Sequence, residues 1–156
     1  MFRSKEKSPG QRGKTAEAAV KKYLESVSAA VAEFDFGRIP DARSAGGRFP
    51  STVADFDFYR KIKGVGHFGV LDAKEVAHDF RLPAKNFKPG QMGKMEKRRL
   101  AGGIVVVAVL HTTSGKWRVP NFSWMYERSG TPSWDLSEFP LFNDVGAALR
   151  SVALLS

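Results

Sequence analysis

Residues 51–75, STVADFDFYRKIKGVGHFGVLDAKE, decide the fold of this chain. Two runs, Val53 to Tyr59 and His67 to Val76, are rich in β-branched and aromatic residues, and KIKGVG lies between them. Runs of this kind on either side of a glycine turn are typical of an antiparallel hairpin. The stretch therefore predicts two neighbouring strands at the centre of a sheet.

The predicted hairpin carries acidic residues at a two-residue spacing. Successive side chains of a strand point to opposite faces, so Asp55 and Asp57 share a face, as do Asp72 and Lys74. Mg²⁺ prefers oxygen ligands and keeps several waters, so one or two carboxylates and a substrate phosphate are enough to hold it. We therefore predict Asp55 and Asp72 as magnesium ligands. Asp57 either assists them or is simply solvated.

The amine of Lys74 lies two residues beyond Asp72. In that position it is able to promote ionisation of an attacking water or to offset negative charge that develops on a phosphate. An acidic residue two places from a lysine also occurs by chance and commonly forms an ordinary surface ion pair. The apolar residues before Asp72 and the aspartate across the glycine turn favour a nuclease-type site.

Length and charge restrict the class of protein. The chain has 156 residues, of which 42% are hydrophobic, so it is able to bury one core but hardly two. We expect a single domain over residues 14–156. Lys and Arg number 25 against 16 acidic residues, and the net charge of +9 favours a polyanionic partner such as DNA. A basic surface that only confers solubility has the same composition.

Cysteine is absent, which excludes disulfides, thiolate zinc sites and cysteine nucleophiles. The longest apolar run, Gly103 to Leu110, is shorter than the roughly 20 residues that a membrane helix needs, and its Val and Ile content indicates a buried strand. The start of the chain is basic and polar, without an apolar signal segment. We expect a cytoplasmic protein without membrane contact.

The remaining segments fit a layered arrangement of helices and strands. Residues 1–13 are charged and rich in Gly and Pro, which predicts a flexible basic arm. Apolar residues at three- and four-residue steps predict a helix from Lys14 to about Glu33, and alternation predicts a strand over Phe34 to Ile39. The same helical spacing recurs from about Pro89 to Ala101 and from Asn143 to Leu155.

Three further groups of residues are candidates for contact with DNA. The short basic loop after Pro40 carries Arg43 and Arg48, and the helix near residue 95 has its own cationic residues, namely Lys94, Lys97, Arg98 and Arg99. Such a helix is able to line a track of phosphates, although a cationic helix face is usually just solvated. The aromatic cluster between residues 117 and 142 is explained better by core packing than by base stacking.

The three histidines lack the spacing of a zinc site.

The ordered motifs of this chain resemble those of the RecU-type Holliday junction resolvases, within the PD-(D/E)xK nuclease superfamily. The segments that carry the resemblance are STVADFDFY, LDAKEVAHDFRL, NFKPGQMGKME and AGGIVVVAV, within about residues 13–126. The resemblance implies an α/β fold with a restriction-endonuclease-like core, in which helices flank a mixed central sheet. It also implies a homodimeric, Mg²⁺-dependent endonuclease of DNA recombination and repair, in which Mn²⁺ is able to replace Mg²⁺.

The resemblance assigns a role to five residues. Asp55 matches the first metal carboxylate and Asp72 the second, where glutamate is usual. Asp57 is the alternative to Asp55, because STVADFDF holds one residue more than the family pattern before its aspartate. Lys74 matches the catalytic lysine, Gln91 the glutamine close to the active site, and Glu17 the glutamate of the first helix.

The resemblance implies the four-way junction as substrate, and the segment between Pro40 and Phe49, which is short where the cellular enzymes carry a protruding stalk, leaves other branched DNA open as well. This compact form is similar to phage-borne members, so the expected location is the host cytoplasm if the protein is phage-encoded and the nucleoid otherwise. Two alternatives to a four-way-junction resolvase follow. One is another nuclease of the superfamily, such as a flap, restriction-like or nonspecific enzyme, and the other is a DNA-binding module without catalysis.

Overall fold

A computed structural model describes residues 14–40 and 52–156 of the chain. Within these ranges the protein is an α/β structure with a mixed five-stranded sheet flanked by helices, compatible with a restriction-endonuclease-like core. The fold class expected from the sequence is therefore confirmed. The predicted basic arm, residues 1–13, and the loop residues Arg43 and Arg48 lie outside the described residues.

Four helices and seven strands form the described part of the chain. The helices are α1 (Lys14–Ala30), α2 (Gln91–Leu100), α3 (Phe122–Glu127) and α4 (Val145–Arg150). The strands are β1 (Phe34–Arg38), β2 (Phe56–Ile62), β3 (Val65–Val76), β4 (Arg81–Pro83), β5 (Ile104–His111), β6 (Lys116–Arg118) and β7 (Ser133–Asp135). Two short 3₁₀ turns lie at Ala84–Asn86 and Ala153–Leu155.

The main sheet has the strand order β1-β2-β3-β5-β6. Strand β3 pairs with β5 in parallel, and the other three pairs in this sheet are antiparallel. Because α2 lies between β3 and β5 in the chain, it serves as the crossover that a parallel pair requires. The short strands β4 and β7 form a separate antiparallel pair.

The β2–β3 hairpin is tighter than its sequence suggested. Ile62 pairs with Val65, so the turn consists of Lys63 and Gly64 alone, with φ angles of 49° and 80°. Positive φ at both positions is typical of the two-residue hairpin turn whose twist matches that of the strands. The prediction that KIKGVG connects the two strands was therefore wrong, because four of those residues belong to β2 and β3. The first strand was also placed too early, because β2 begins at Phe56 rather than Val53.

The predicted helices exist but have different ends. Helix α1 buries Ala16, Val20 and Leu24 at four-residue steps and ends at Ala30, short of Glu33, because the chain must turn to enter β1.

Helix α2 starts at Gln91, two residues after the predicted start. The C-terminal helix α4 is half as long as predicted and begins where the Asp144 side chain accepts a hydrogen bond from the Ala147 N–H.

Alternation along the strands divides the core into two layers. Phe56, Phe58 and Leu71 pack with α1 and α4 on one face of the sheet. Val70 and Val107 pack with α2 and α3 on the other face. Three predicted packing aromatics, Trp117, Phe122 and Trp134, are buried as expected. The even-numbered residues of β3, including Asp72 and Lys74, thus lie on the α2 face.

Gly69 of β3 provides a test of this packing. A Cβ atom there would overlap the Phe58 ring and lie 2.7 Å from the Ile104 carbonyl oxygen, whereas a Cβ atom on Gly66 of the same strand meets nothing within 4 Å. We expect Gly69→Ala to lower the free energy of unfolding by about 1–3 kcal/mol, the usual cost of overpacking. Urea unfolding measures the effect. Equal midpoints for Gly69→Ala and Gly66→Ala would contradict this packing.

Candidate active site

Five predicted residues come from four separate segments. Asp72 and Lys74 lie on β3, Asp55 directly precedes β2, Gln91 is the first residue of α2, and Glu17 lies in the first turn of α1. The side chains of Asp55, Asp72, Lys74 and Gln91 meet at the C-terminal half of β3, and Glu17 is near enough for its charge to raise the pKa of Asp55.

Asp55 is joined to β3 by its side chain. Backbone pairing of β2 with β3 extends as far as Phe56 opposite Leu71, and the next link is a hydrogen bond of 2.8 Å from the Ala73 N–H to Asp55 Oδ2. Asp55 thus lies just before the strand, not within it as predicted. This hydrogen bond holds the Asp55 carboxylate beside Ala73, the residue between Asp72 and Lys74.

Asp57 occupies a different position. It pairs with Gly37 of β1 and Val70 of β3, and its Oδ1 atom lies over Gly37, 3.0 Å from where a Cβ atom would stand. Of the two aspartates that the sequence left as alternatives, Asp55 is the one whose carboxylate is tied beside Asp72.

The amine of Lys74 is held on three sides. Nζ lies 2.8 Å from Asp72 Oδ2 and donates a 3.3 Å hydrogen bond to Gln91 Oε1. It also lies 4.4 Å from the centre of the Phe87 ring. The side chain is only 12% exposed, so this ion pair is shielded from solvent far more than a surface pair would be.

Gln91 links three segments around the site. Its Oε1 atom also accepts a 3.1 Å hydrogen bond from the Lys88 N–H, and its Nε2 atom donates a 3.3 Å hydrogen bond to the Val53 carbonyl oxygen. Because Val53 leads into Asp55, the amide fastens the Asp55 segment to Lys74. Both polar atoms of the Gln91 amide are engaged in these contacts. Gln91 is therefore better placed to position Lys74 than to activate a water.

The pKa of Asp55 departs strongly from its ordinary value. Burial is the main cause, and the neighbouring negative charges of Asp72 and, more weakly, Glu17 act in the same direction. The hydrogen bond from Ala73 opposes them, and the result is an Asp55 pKa raised to about 7. Two adjacent carboxylates in a shielded place resist being charged together unless a cation accompanies them.

The oxygen atoms at this point fit a hard divalent cation. Asp72 Oδ2 is buried and, although Lys74 lies 2.8 Å away, the contact lacks hydrogen-bond geometry and no other described donor reaches the atom. A buried carboxylate oxygen without a hydrogen bond is unusual in proteins. Over residues 14–40 and 52–156 no group of three or more acidic or histidine side chains is arranged to hold a metal. Two carboxylates are nevertheless sufficient for Mg²⁺ when a phosphate completes the ligands.

Glu17 has a partner that the sequence did not reveal. Its Oε1 atom lies 3.0 Å from Nη2 of Arg38, at the end of β1. Strand register brings Arg38 opposite Phe56, next to Asp55. The neighbouring α1 residue, Ala16, donates its N–H to Glu75 Oε1 at 2.8 Å, which fastens the start of the helix to β3. Arg38 is therefore the cation that accompanies Glu17, and the packing of α1 against β1 brings the two together.

The predicted phosphate-contacting helix extends away from the site, because α2 starts at Gln91. Lys97 and Arg98 are exposed, Lys94 is half-buried, and Met95 between them is buried. Both exposed cations are therefore accessible from solvent.

Two of the three histidines, His78 and His111, make structural contacts near the far end of β3. His78 Nδ1 accepts hydrogen bonds from the N–H groups of Phe80 and Arg81. His111 is fully buried between the His78 carbonyl oxygen and Arg118 Nη1, at 2.7 and 3.1 Å, and burial lowers the pKa of its imidazole.

No protein-family model matches the chain, and neither does any curated protein. Among the helices of the described ranges, none has the length and apolarity needed to cross a membrane. The features of the chain that indicate a function are therefore its site geometry, its charge and its motifs.

Proposed function

We propose that the protein is a magnesium-dependent endonuclease that cuts branched DNA, with the four-way Holliday junction as its preferred substrate. The observation that carries the proposal is the meeting of Asp55, Asp72 and Lys74, from two segments, around one shielded point. The order of the motifs, which resembles RecU-type resolvases, supports the choice of substrate. DNA recombination and repair would be the processes served, in the cytoplasm.

Asp55 and Asp72 are the residues that would hold the metal. When bound, Mg²⁺ supplies Lewis-acid polarisation of the phosphate and lowers the pKa of an attacking water. The all-oxygen character of these ligands would also accept Mn²⁺. The raised pKa of Asp55 fits this role, since a bound divalent cation would offset the burial and the repulsion by Asp72 that raise it.

Protein groups supply the remaining chemistry. The ammonium of Lys74 would offset charge that grows on the scissile phosphate, at a shielded point where such an interaction is strong. Gln91 would keep that ammonium in place, and Glu17 would support the site from its helix. Hydrolysis would leave a 5′ phosphate, as the resemblance implies.

Positive charge supports a DNA partner. The net charge of +9 gives a favourable release of counterions from DNA, and the exposed Lys97 and Arg98 would contact phosphates beyond the site. Symmetric cutting of a four-way junction requires two active sites, so the proposal includes a homodimer.

A panel of labelled DNAs tests the proposal. We expect the purified protein with Mg²⁺ to nick a four-way junction at paired positions, about tenfold or more faster than a linear duplex, which corresponds to about 1.4 kcal/mol in transition-state binding. The panel includes a fork and a flap, and EDTA replaces Mg²⁺ in a parallel series. Asp72→Asn serves as the inactive control.

The two alternatives give different results in the same assay. Equal or faster cutting of flap, fork or duplex would reject junction preference and identify another kind of nuclease. Salt-dependent binding without cleavage would indicate a DNA-binding module. In that case calorimetric titration with Mg²⁺ should give no more heat than it does with Asp72→Asn.

A further inference from the structure

The third side of the Lys74 amine is covered by an aromatic ring. Nζ lies 4.4 Å from the centre of the Phe87 ring, within the range of a cation–π contact. Asp72 and Gln91 supply the other two contacts, at 2.8 and 3.3 Å. The ring completes the enclosure without taking a proton or a ligand position.

The Phe87 ring is itself held in place. It meets Trp134 edge to face, with 5.7 Å between ring centres and an interplanar angle of 81°. The Trp134 indole in turn donates a 3.0 Å hydrogen bond to the Met125 carbonyl oxygen. Phe87 is 7% exposed and Trp134 is 3% exposed, so the ring face is presented to Lys74 by buried, fixed neighbours.

A lysine side chain has many rotamers, and confining it carries an entropic cost. The face of a benzene ring attracts an ammonium, whereas an aliphatic side chain of similar size only fills space. We propose that Phe87 is a positioning residue that keeps the Lys74 ammonium on the Asp72 side of the site. For its kinetic consequence this inference rests on the proposed function.

Phe122 offers a matched control for simple core packing. It is 4% exposed, belongs to the same core layer and stacks on Tyr126, at 6.0 Å between ring centres. Its contacts do not include Lys74, so replacing Phe122 removes a ring of equal size without removing the cation–π contact.

The kinetic test compares Phe87→Leu with Phe122→Leu under single-turnover conditions. We expect Phe87→Leu to lower the cleavage rate at saturating enzyme about tenfold, with the Kd for the junction within about twofold of wild type. Phe122→Leu should leave both values close to wild type. Equal rates for the two variants would overturn the proposal.

Fluorinated phenylalanines at position 87 keep the test valid if Phe87→Leu does not fold. Each fluorine weakens the attraction of the ring face for a cation and changes the ring volume little. The cleavage rate should fall stepwise from Phe through mono-, di- and trifluorophenylalanine. A rate independent of fluorination would overturn the proposal.

An NMR readout separates this inference from the nuclease proposal. With lysine-selective ¹³C labelling, the ε-methylene signal that disappears in Lys74→Met should be shifted upfield by the ring in wild type and move downfield in Phe87→Leu. This shift in a protein that cuts none of the DNAs would support the positioning of Lys74 and reject the nuclease. An unshifted signal in wild type would reject the positioning role.

Discussion

Replacing Lys74 with methionine is expected to lower the single-turnover rate of junction cleavage by about 10²- to 10³-fold, the usual cost of losing one donor aimed at developing charge. Methionine keeps an unbranched stem against Phe87, so the change removes the ammonium while filling most of its space. Because the ammonium acts in the transition state, the Kd for the junction should change little. Quenched-flow cleavage and a binding titration in Ca²⁺ measure the two quantities.

A matched change on the exposed face of α2 provides the control. Lys97→Met removes the same charge from an exposed residue outside the group around Asp72. Its effect should be the reverse, namely weaker junction binding with a shallower salt dependence and a nearly unchanged rate at saturation. Cleavage by Lys74→Met at the wild-type rate would remove the basis of the proposed active site.

Local spacing was sufficient to predict one half of the site. Asp72 and Lys74 lie two residues apart on one strand, so strand periodicity alone puts both side chains on the same face. The fold class was predictable for a related reason, because alternation and helical spacing are local properties of the sequence.

The other half depends on contacts that no local pattern contains. Whether Asp55 or Asp57 meets Asp72 is decided by where β2 begins, and the ends of elements are the least predictable feature of a sequence. The Ala73 N–H selects Asp55 because the backbone ladder stops one residue short of it. The Glu17–Arg38 pair depends on how α1 packs against β1, and the register of β1 against β2 then sets its distance from Asp55.

The contacts of Gln91 and Phe87 with Lys74 are likewise not predictable from local sequence patterns. The resemblance indicated that Gln91 lies close to the active site. Its contact with the Val53 carbonyl oxygen, however, forms only when α2 packs against the residues that precede β2. The position of Phe87 over Lys74 depends on Trp134, which is distant in sequence. Tertiary packing therefore determines which groups surround Lys74, although the strand alone determines where its side chain starts.

Asp55 provides the second large prediction, a pH dependence of stability in the absence of metal. Its pKa is about 7 in the folded protein against an ordinary value of 3.8, so the folded state binds a proton that the unfolded state releases between about pH 4 and pH 7. A raised pKa contributes stability that is present below the ordinary value and is lost as pH rises through the folded value. We expect a loss on the order of 2–4 kcal/mol from this residue across that window.

The difference between wild type and Asp55→Asn isolates that contribution, because other carboxylates titrate in both proteins. Asparagine stays neutral and its side-chain oxygen is still able to accept the Ala73 N–H. In EDTA the two proteins should have similar urea midpoints near pH 4, and the variant should be the more stable one near pH 8. Asp57→Asn, two residues away and not bonded to Ala73, should follow wild type.

Mg²⁺ should reverse the order of stability. A cation that binds the paired carboxylates of the folded state adds stability by mass action and removes the repulsion between Asp55 and Asp72. Near pH 8, saturating Mg²⁺ should therefore raise the urea midpoint of wild type and leave that of Asp55→Asn nearly unchanged. Equal gains in both proteins would mean that the ion binds elsewhere. If the urea midpoint of wild type does not fall relative to that of the variant above pH 4, the pKa of Asp55 is not raised by burial and by the charge of Asp72.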